Sequence, residues 1–362
     1  MMRVAQLSFL SLISLLLLAV DAAPLSYGTM AEVTSTVDKS RGLCYCVAPL
    51  LASTKEKCTL LSSPLALGGD LLAPPYSSFL VEDARKGILY ALGLLPNKLD
   101  PENGEADTAV LTLSPDGKVL GRCVFNESSG LPSSDYGASL SVDKRTGFVY
   151  FFGDSQTNTT WAECGFDSWQ LDLDDCTARQ FAACANNPEL PSVDSEVVVV
   201  NGLAHYFYSV DNGRSNFALV SVNVSTGAIV YEHDIIDATM RLDPRTYYDA
   251  NTKLLWNEAI IKTPNGDQRR GALSVNPVTG EQKFYVQSLA YLTDYQLLLM
   301  PPKDATSPIL FFSMNADDTA ANALVWDAMK DSLAANLTYS FASCGNQYNF
   351  TEETEFEEII IV

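Results

Sequence analysis

One short pattern returns six times along this chain and constrains its fold more than any other feature. Each copy has an apolar stretch, a polar turn that usually opens with Asp and often contains Gly, and then an apolar or aromatic strand. The copies span 37–45, 81–90, 142–150, 200–206, 249–256 and 307–312. Their turn positions recur 45 to 60 residues apart, which indicates a repeat built from strands and turns.

We call the turn of this pattern the first landmark of the repeat. A second landmark, in which an apolar strand leads into a turn and then another strand, recurs with nearly the same spacing. Its turns fall at 117, 176, 227, 280 and 331, which are 51 to 59 residues apart. The copy that ends in Ser114-Pro115-Asp116-Gly117 is a strong turn signal. A β-sandwich would not require two landmarks to stay in phase. The pattern predicts an all-β fold, a single closed β-propeller of six four-stranded blades.

The blade count depends on the two ends of the chain, where the first and last repeats are weakest. Five or seven blades remain open alternatives. The apolar tail Glu357 to Val362 reads as one strand. We expect it to pair with the first blade and close the ring, because an unpaired edge strand invites aggregation.

The N-terminus has the pattern of a secretory signal. Arg3 supplies a positive charge, Leu7 to Val20 is apolar, and small residues lead to a cleavage site after Ala22. A membrane anchor is the alternative, but the run is shorter than the roughly 20 residues that a bilayer span needs. We predict a cleaved signal over residues 1–22, a propeller over 23–362, and a secreted or secretory-lumen protein.

The N-glycosylation sequons and the cysteines are both typical of a secreted protein. The five predicted N-glycosylation sites are Asn126, Asn158, Asn223, Asn336 and Asn349. The eight cysteines, all disulfide candidates, are Cys44, Cys46, Cys58, Cys123, Cys164, Cys176, Cys184 and Cys344. Buried free thiols are the alternative, whereas a zinc site lacks a second close cysteine pair.

Three disulfides are suggested by position alone. Cys46 and Cys58 face each other across a predicted hairpin, and a Cys44 to Cys344 bond would lock the ring. One local bridge is expected among the three cysteines of the third repeat, which are Cys164, Cys176 and Cys184. Connectivity stays open, because eight cysteines allow about 105 pairings.

The formal net charge of −21 argues against nucleic acid and anionic lipid as partners. There is no basic run, so the acidity favours solubility, cations or a basic partner. We expect a monomer with no membrane span after signal cleavage.

The turn pattern Asp-x-x-x-Gly-x-apolar-Tyr resembles that of the YWTD, NHL-type and gluconolactonase-like six-bladed propellers. The resemblance covers most of residues 30–345 and is generic, and the Tyr-Trp-Thr-Asp tetrapeptide is replaced by Tyr90-Ala91-Leu92-Gly93 in one repeat. The Asn-x-x-Thr-Gly turns at Asn223 and Asn276 also look like those of quinone-cofactor propellers. The gluconolactonase-like resemblance implies a metal-dependent hydrolase or lactonase.

A ring of carboxylates is the candidate metal site for that activity. One Asp comes just before the inner strand of each of four successive repeats, namely Asp135, Asp194, Asp243 and Asp294. Oxygen ligands in a ring suit a divalent cation such as Ca²⁺, which would polarise an ester or lactone carbonyl. Alternatively these residues cap turns in solvent. The neighbouring Tyr136, Tyr247 and Tyr295 are expected to be packing aromatics.

Other catalytic sets are poorly supported. The only histidines are His205 and His233, each expected to be structural, and no Gly-x-Ser-x-Gly elbow, His-Glu-x-x-His, P-loop or dinucleotide fingerprint occurs. Two functions therefore remain consistent with the sequence. The first is an extracellular module that binds a protein or glycan and predicts an exposed apolar patch on one face. The alternative is the metal-dependent hydrolase, which requires the four Asp residues to converge.

Overall fold

β-Strands form almost all of the regular structure. The structure is a computed structural model that describes residues 26–35, 41–49, 57–62, 80–96, 106–131, 139–153, 167–182, 196–210, 217–236, 238–240, 246–262, 265–288, 296–300, 310–316, 320–340, 344, 348–349 and 356–361. Within these ranges there are 26 strands and one short 3-10 helix, Glu127–Ser129. None of the described residues forms a helix with the length and apolarity needed to cross a membrane.

Four sheets are antiparallel meanders of four strands that follow one another in the chain. The first contains β4 (Leu80–Asp83), β5 (Ile88–Pro96), β6 (Ala106–Leu113) and β7 (Val119–Phe125). The second contains β8 (Ser139–Val142), β9 (Val149–Gly153), β10 (Asp167–Asp172) and β11 (Thr177–Ala182). The third contains β12 (Val198–Val200), β13 (Leu203–Ser209), β14 (Phe217–Asn223) and β15 (Ile229–Ile235). The fourth contains β21 (Gln296–Met300), β22 (Leu310–Ala316), β23 (Ala320–Asp327) and β24 (Ser332–Ser340).

Two further sheets have five strands. One contains β16 (Ala238–Met240), β17 (Thr246–Asp249), β18 (Leu254–Lys262), β19 (Gln268–Val275) and β20 (Gln282–Val286). The short strands β16 and β17 pair with successive parts of the same edge of the long β18. The other contains β1 (Ser26–Ser35), β2 (Arg41–Pro49), β3 (Lys57–Ser62), β25 (Tyr348–Asn349) and β26 (Phe356–Ile361). Here β25 and β26 share the edge of β1, so the predicted pairing of the tail with the first sheet is confirmed.

The two turn landmarks of the repeat lie at one end of each sheet, because neighbouring strands run antiparallel. We call this end the turn face. All five second-landmark residues have positive φ, and these are Gly117, Cys176, Gly227, Gly280 and Asp331. Gly87, Gly147, Gly202 and Lys253 of the first landmark have positive φ as well. A non-glycine residue such as Cys176 therefore holds a backbone shape that usually requires Gly or Asn.

Apolar side chains fill the spaces between consecutive sheets rather than one central core. Phe151 and Trp169 pack edge to face, with ring centroids 5.8 Å apart, in a cluster that also includes Tyr90 and Leu92 of the preceding sheet. Equivalent clusters join each following pair of sheets from β8 through β24. Face-to-face packing of four-stranded sheets around an axis is the arrangement of a propeller, as predicted.

Polar side chains also connect neighbouring inner strands. Ser139 and Ser141 of β8 accept hydrogen bonds from the amides of Val197 and Val199, at 3.1 and 2.9 Å. Asp143 continues this series with its Oδ2, which accepts the Gly202 amide at 2.9 Å. Alternate residues of a strand share a face, so all three contacts lie along one side of β8. They satisfy backbone donors on the otherwise unpaired edge of β12.

Candidate functional site

The inner strands β4, β8 and β17 end at the turn face in an aspartate of the repeat. Asp83, Asp143 and Asp249 are each about 1% exposed. Their Oδ1 atoms accept the backbone amide two residues further on, at 3.1, 2.8 and 2.9 Å. Aspartate forms such turns because its short side chain reaches the following amides. These buried carboxylates therefore shape the turns, and their Oδ1 atoms are already occupied by backbone amides.

Glu82, Lys144 and Tyr247 adjoin those turns and form what we call the axial cluster. The Lys144 Nζ lies 4.9 Å from the centre of the Tyr247 ring and donates a hydrogen bond to the Tyr248 carbonyl oxygen at 3.4 Å. Lys144 follows β8, whereas both tyrosines belong to β17, and the β12–β15 sheet separates them along the chain. Its side chain therefore extends towards the axis.

The surroundings of the cluster disfavour charge. Burial lowers the pKa of Lys144, against the opposing effect of the negative Glu82 and Asp249. Burial likewise raises the pKa of Glu82 and raises the pKa of Tyr247 to about 12, with the nearby carboxylates adding to the tyrosine shift. The Glu82 and Lys144 side chains are nevertheless exposed by surface area. Water therefore reaches both side chains.

The cluster has unused hydrogen-bonding capacity. Among the described residues, the Glu82 carboxylate and the Tyr247 hydroxyl make no hydrogen bond, and Lys144 forms no ion pair within 4.0 Å. The candidate residues predicted from the sequence lie before the inner strands, at their opposite ends, so the sequence did not indicate the roles of Glu82 and Lys144, and Tyr247 was expected only to pack. The available signal was position, since Glu82 precedes and Lys144 follows a turn aspartate of the repeat.

The predicted metal ligands Asp135, Asp194, Asp243 and Asp294 all lie outside the described residues. Within the described ranges, no three His, Cys, Asp or Glu side chains are grouped so that they could hold a metal ion. The ring of carboxylates thus stays a prediction. Tyr136 and Tyr295 also lie outside the described residues, whereas Tyr247 contacts Lys144.

Both histidines have structural contacts. The His205 ring is buried in β13, with Nδ1 2.7 Å from the Ser221 Oγ, and burial lowers its pKa to about 4. The His233 Nε2 lies 3.2 Å from the Pro277 carbonyl oxygen. Neither side chain joins the axial cluster in these contacts.

The disulfides confirm one suggested bond and add one that joins neighbouring sheets. Cys44 and Cys344 are bonded, as suggested for locking the chain ends. Cys176 bonds Cys123 of the preceding sheet, so the local bridge expected in the third repeat stays a prediction for Cys164 and Cys184. The Cys123–Cys176 bond forms because the β10–β11 turn packs beside β7. Cys46 is disulfide-bonded and faces Cys58 across the β2–β3 pair, whereas Cys164 and Cys184 lie outside the described residues.

The predicted glycosylation sites lie in different parts of the fold. Asn126 follows β7 and accepts hydrogen bonds through Oδ1 from the Ser128 hydroxyl and the Ser129 amide. Asn223 opens the β14–β15 turn, and Asn336 is exposed on β24. Asn349 lies in β25, and Asn158 lies outside the described residues.

Most of the exposed large apolar residues that the structure describes lie at the turn face. Of ten such residues among those described, eight lie in the hairpin turns of this face or in the first two positions of the strands that leave it. These are Val119, Leu120, Phe148, Ile229, Val230, Val278, Met329 and Leu333. Of the exposed large apolar residues that are described, Val210 and Ile236 lie at the opposite end, where most loops are outside the described residues. Phe148 and Met329 are 48% and 57% exposed.

Comparisons with known proteins concern the architecture alone. No protein-family model and no curated protein matches the chain. A subtype N10 neuraminidase-like protein of A/little yellow-shouldered bat/Guatemala matches with a TM-score of 0.43 and 11% identity, over 72% of this chain and 77% of that one. An endo-arabinase from Bacteroides thetaiotaomicron matches with a TM-score of 0.42 and 12% identity, over 70% and 93%. At these values the similarity carries no argument about function.

Proposed function

We propose that this chain is a secreted, N-glycosylated, closed six-bladed β-propeller that binds an extracellular protein through its turn face. The observation that carries this proposal is the presence of eight exposed large apolar side chains at that face. The proposal treats these side chains as one docking surface, because a soluble protein that exposes a contiguous apolar surface usually uses it for interaction. Seven of the eight side chains are aliphatic, and aliphatic groups suit a protein partner better than a glycan, which favours aromatic platforms.

The six-bladed ring is supported by the contacts between inner strands. β26 contacts β4, β4 contacts β8, β8 contacts β12, β12 contacts β17, β18 contacts β21, and β21 contacts β26. This succession passes once through each of the six sheets and returns to its start. The strand pairing of β26 with β1 and the Cys44–Cys344 bond would fasten such a ring where the two chain ends meet.

Secretion is supported by the disulfides, which persist in oxidising compartments, and by the signal-like residues 1–22. Asn126 and Asn336 lie away from the turn face, so glycans there would leave it open. A glycan at Asn223 would lie beside Ile229 and Val230 and would mark one border of the docking surface.

The test compares partners captured by matched variants. The tagged protein is secreted from a eukaryotic culture and cross-linked to proteins of the medium and cell surface, which are identified by mass spectrometry. The turn-face variant is Phe148→Asp/Val278→Asp/Met329→Asp, and the control is Val210→Asp/Ile236→Asp at the opposite end. We expect one partner to be retained by the wild type and the control and lost from the turn-face variant. Equal capture by all three proteins would refute the proposed face.

The metal-dependent hydrolase has no supporting contact among the described residues and stays a prediction on Asp135, Asp194, Asp243 and Asp294. Metal analysis of the secreted protein, with thermal unfolding before and after chelation, tests it directly. About one Ca²⁺ per chain, lost in Asp194→Ala, would favour the acidic ring and call for lactone and ester substrates.

A further inference from the structure

Two hairpin loops of the described structure contain an asparagine followed by a glycine, and the fold restrains them differently. Asn201 and Gly202 are the whole of the two-residue loop between β12 and β13. Asn265 and Gly266 lie in the five-residue loop between β18 and β19, at the end of the sheet opposite the turn face. The other Asn-Gly pairs of the chain lie outside the described residues. The two loops therefore place the same dipeptide in two environments.

The β12–β13 loop is fixed by its backbone shape and by hydrogen bonds on both sides of Gly202. Asn201 and Gly202 have φ of 54° and 77°, the left-handed pair that a tight two-residue hairpin loop uses. The Gly202 amide donates to the buried Asp143 carboxylate at 2.9 Å, and the Gly202 carbonyl oxygen accepts the Val224 amide at 3.1 Å. Rotation of the Asn201 backbone would break these contacts and the strand pairing beside them.

The β18–β19 loop leaves the same dipeptide open to water. Asn265 and Gly266 are both exposed, and only the glycine has a positive φ, of 84°. Among the described residues, neither the Asn265 carboxamide nor the Gly266 amide makes a hydrogen bond. This loop is also longer than the β12–β13 loop, so Asn265 can rotate without opening the paired strands.

We propose that Asn265 is a site of spontaneous deamidation through a cyclic imide and that the fold protects Asn201 from the same reaction. Asparagine is a thermolabile residue, and a following glycine leaves the attacking amide unhindered. The Gly266 amide loses its proton to solvent base, and its nitrogen attacks the side-chain carbonyl carbon of Asn265. The bond from that carbon to the carboxamide nitrogen breaks, and ammonia leaves as it takes a proton from water.

Water then opens the imide ring at either carbonyl carbon, which gives aspartate or isoaspartate. The sum of the steps is one water consumed and one ammonia released, with no oxidant, enzyme or cofactor. Each event adds one negative charge to the loop, and the isoaspartate product lengthens the backbone by one carbon. Because the loop lies opposite the turn face, this inference does not depend on the proposed protein partner.

Asp143 hinders the reaction at Asn201 in two ways. The attacking nitrogen must give up its proton and turn towards the asparagine side chain, but the Gly202 amide is engaged with the Asp143 Oδ2 at 2.9 Å. A nitrogen anion beside the buried carboxylate would also be repelled by the like charge. Asp267 follows Gly266 in the other loop, but its side chain is exposed and water screens its charge.

The test measures deamidation at both sites in oxygen-18 water. The intact secreted protein is incubated in mildly alkaline buffer, so that the label marks only the products that form during the incubation. Peptide mass spectrometry then quantifies the two sites, with aspartate and isoaspartate separated by chromatography. The same protein unfolded in denaturant is the matched control, because both asparagines precede glycine and the fold no longer distinguishes them.

We expect Asn265 to deamidate several-fold faster than Asn201 in the folded protein, and the two rates to approach each other in the unfolded protein. Asp143→Ala should raise the Asn201 rate several-fold and leave the Asn265 rate unchanged. An Asn201 rate equal to or above the Asn265 rate in the folded protein would overturn the inference, and this comparison needs no variant to fold. A ratio of rates that unfolding leaves unchanged would overturn the protection by the fold. An unchanged Asn201 rate in a folded Asp143→Ala protein would overturn the role of Asp143.

Discussion

Acid should weaken this fold through one residue, His205. The ring is 3% exposed, and its Nδ1 lies 2.7 Å from the Ser221 Oγ inside the β13–β14 pair. Burial lowers its pKa from 6.5 to about 4, because a buried imidazolium loses its hydration. At about 1.4 kcal/mol per unit, this difference corresponds to about 3 kcal/mol of unfolding free energy.

The sign follows from which state binds the proton. Below pH 6.5 the unfolded chain protonates His205, whereas the folded protein does so only near pH 4. The stabilisation is therefore complete above pH 6.5, declines as the pH falls, and is lost by about pH 4. Glu82 contributes with the opposite sign because burial raises its pKa, so the total curve alone does not isolate the histidine.

A matched variant isolates the contribution of His205 to the pH dependence of the unfolding free energy. His205→Asn keeps a group that can bond Ser221 but does not titrate, and His233→Asn is the control at the half-buried second histidine. Denaturant unfolding from pH 7 to pH 4 should show the wild type and the control losing about 3 kcal/mol relative to His205→Asn. Nitrogen-15 NMR of the two imidazoles should show His205 neutral at pH 5. A His205 that titrates near 6.5, or parallel stability curves for all three proteins, would refute the reasoning.

Three further predictions concern stability and are measured by denaturant unfolding of the oxidised protein. Ser141→Ala should cost about 1–3 kcal/mol, because a buried amide of β12 loses its acceptor; no loss would show that water replaces it. Removing the Cys123–Cys176 bond by a double Ala substitution should cost about 4 kcal/mol, because it spans 53 residues; an unchanged midpoint would contradict this. Gly130→Ala should cost more than Gly266→Ala, although both have positive φ, because only at Gly130 would a Cβ meet a backbone carbonyl oxygen, at 2.6 Å; equal losses would contradict the clash.

The repeat predicted the parts of the fold that local sequence controls. Turn residues such as Asp143 and Gly117 act on their own backbone, so their chemistry is visible in a single segment. The predicted strand Val119 to Phe125 was correct for the same reason, since alternation and turns define each strand. The pairing of the tail with β1 was also correct, but it followed from the need to cover an open sheet edge rather than from local sequence.

The sequence could not predict contacts between sheets. Cys176 meets Cys123 because a turn of one sheet packs on the outer strand of its neighbour, a geometry that spacing does not encode. Lys144 reaches Tyr248, 104 residues later, for a similar reason. The pairing of both β16 and β17 with β18 also depends on the length of a neighbouring strand rather than on the repeat.

The most direct test of the proposed function is hydroxyl-radical footprinting of the secreted protein, free and bound to the captured partner. The account predicts protection of Phe148, Val278 and Met329 at the turn face, with Val210 and Ile236 at the opposite end unchanged. Protection confined to Val210 and Ile236, or absent from the turn face, would contradict the account.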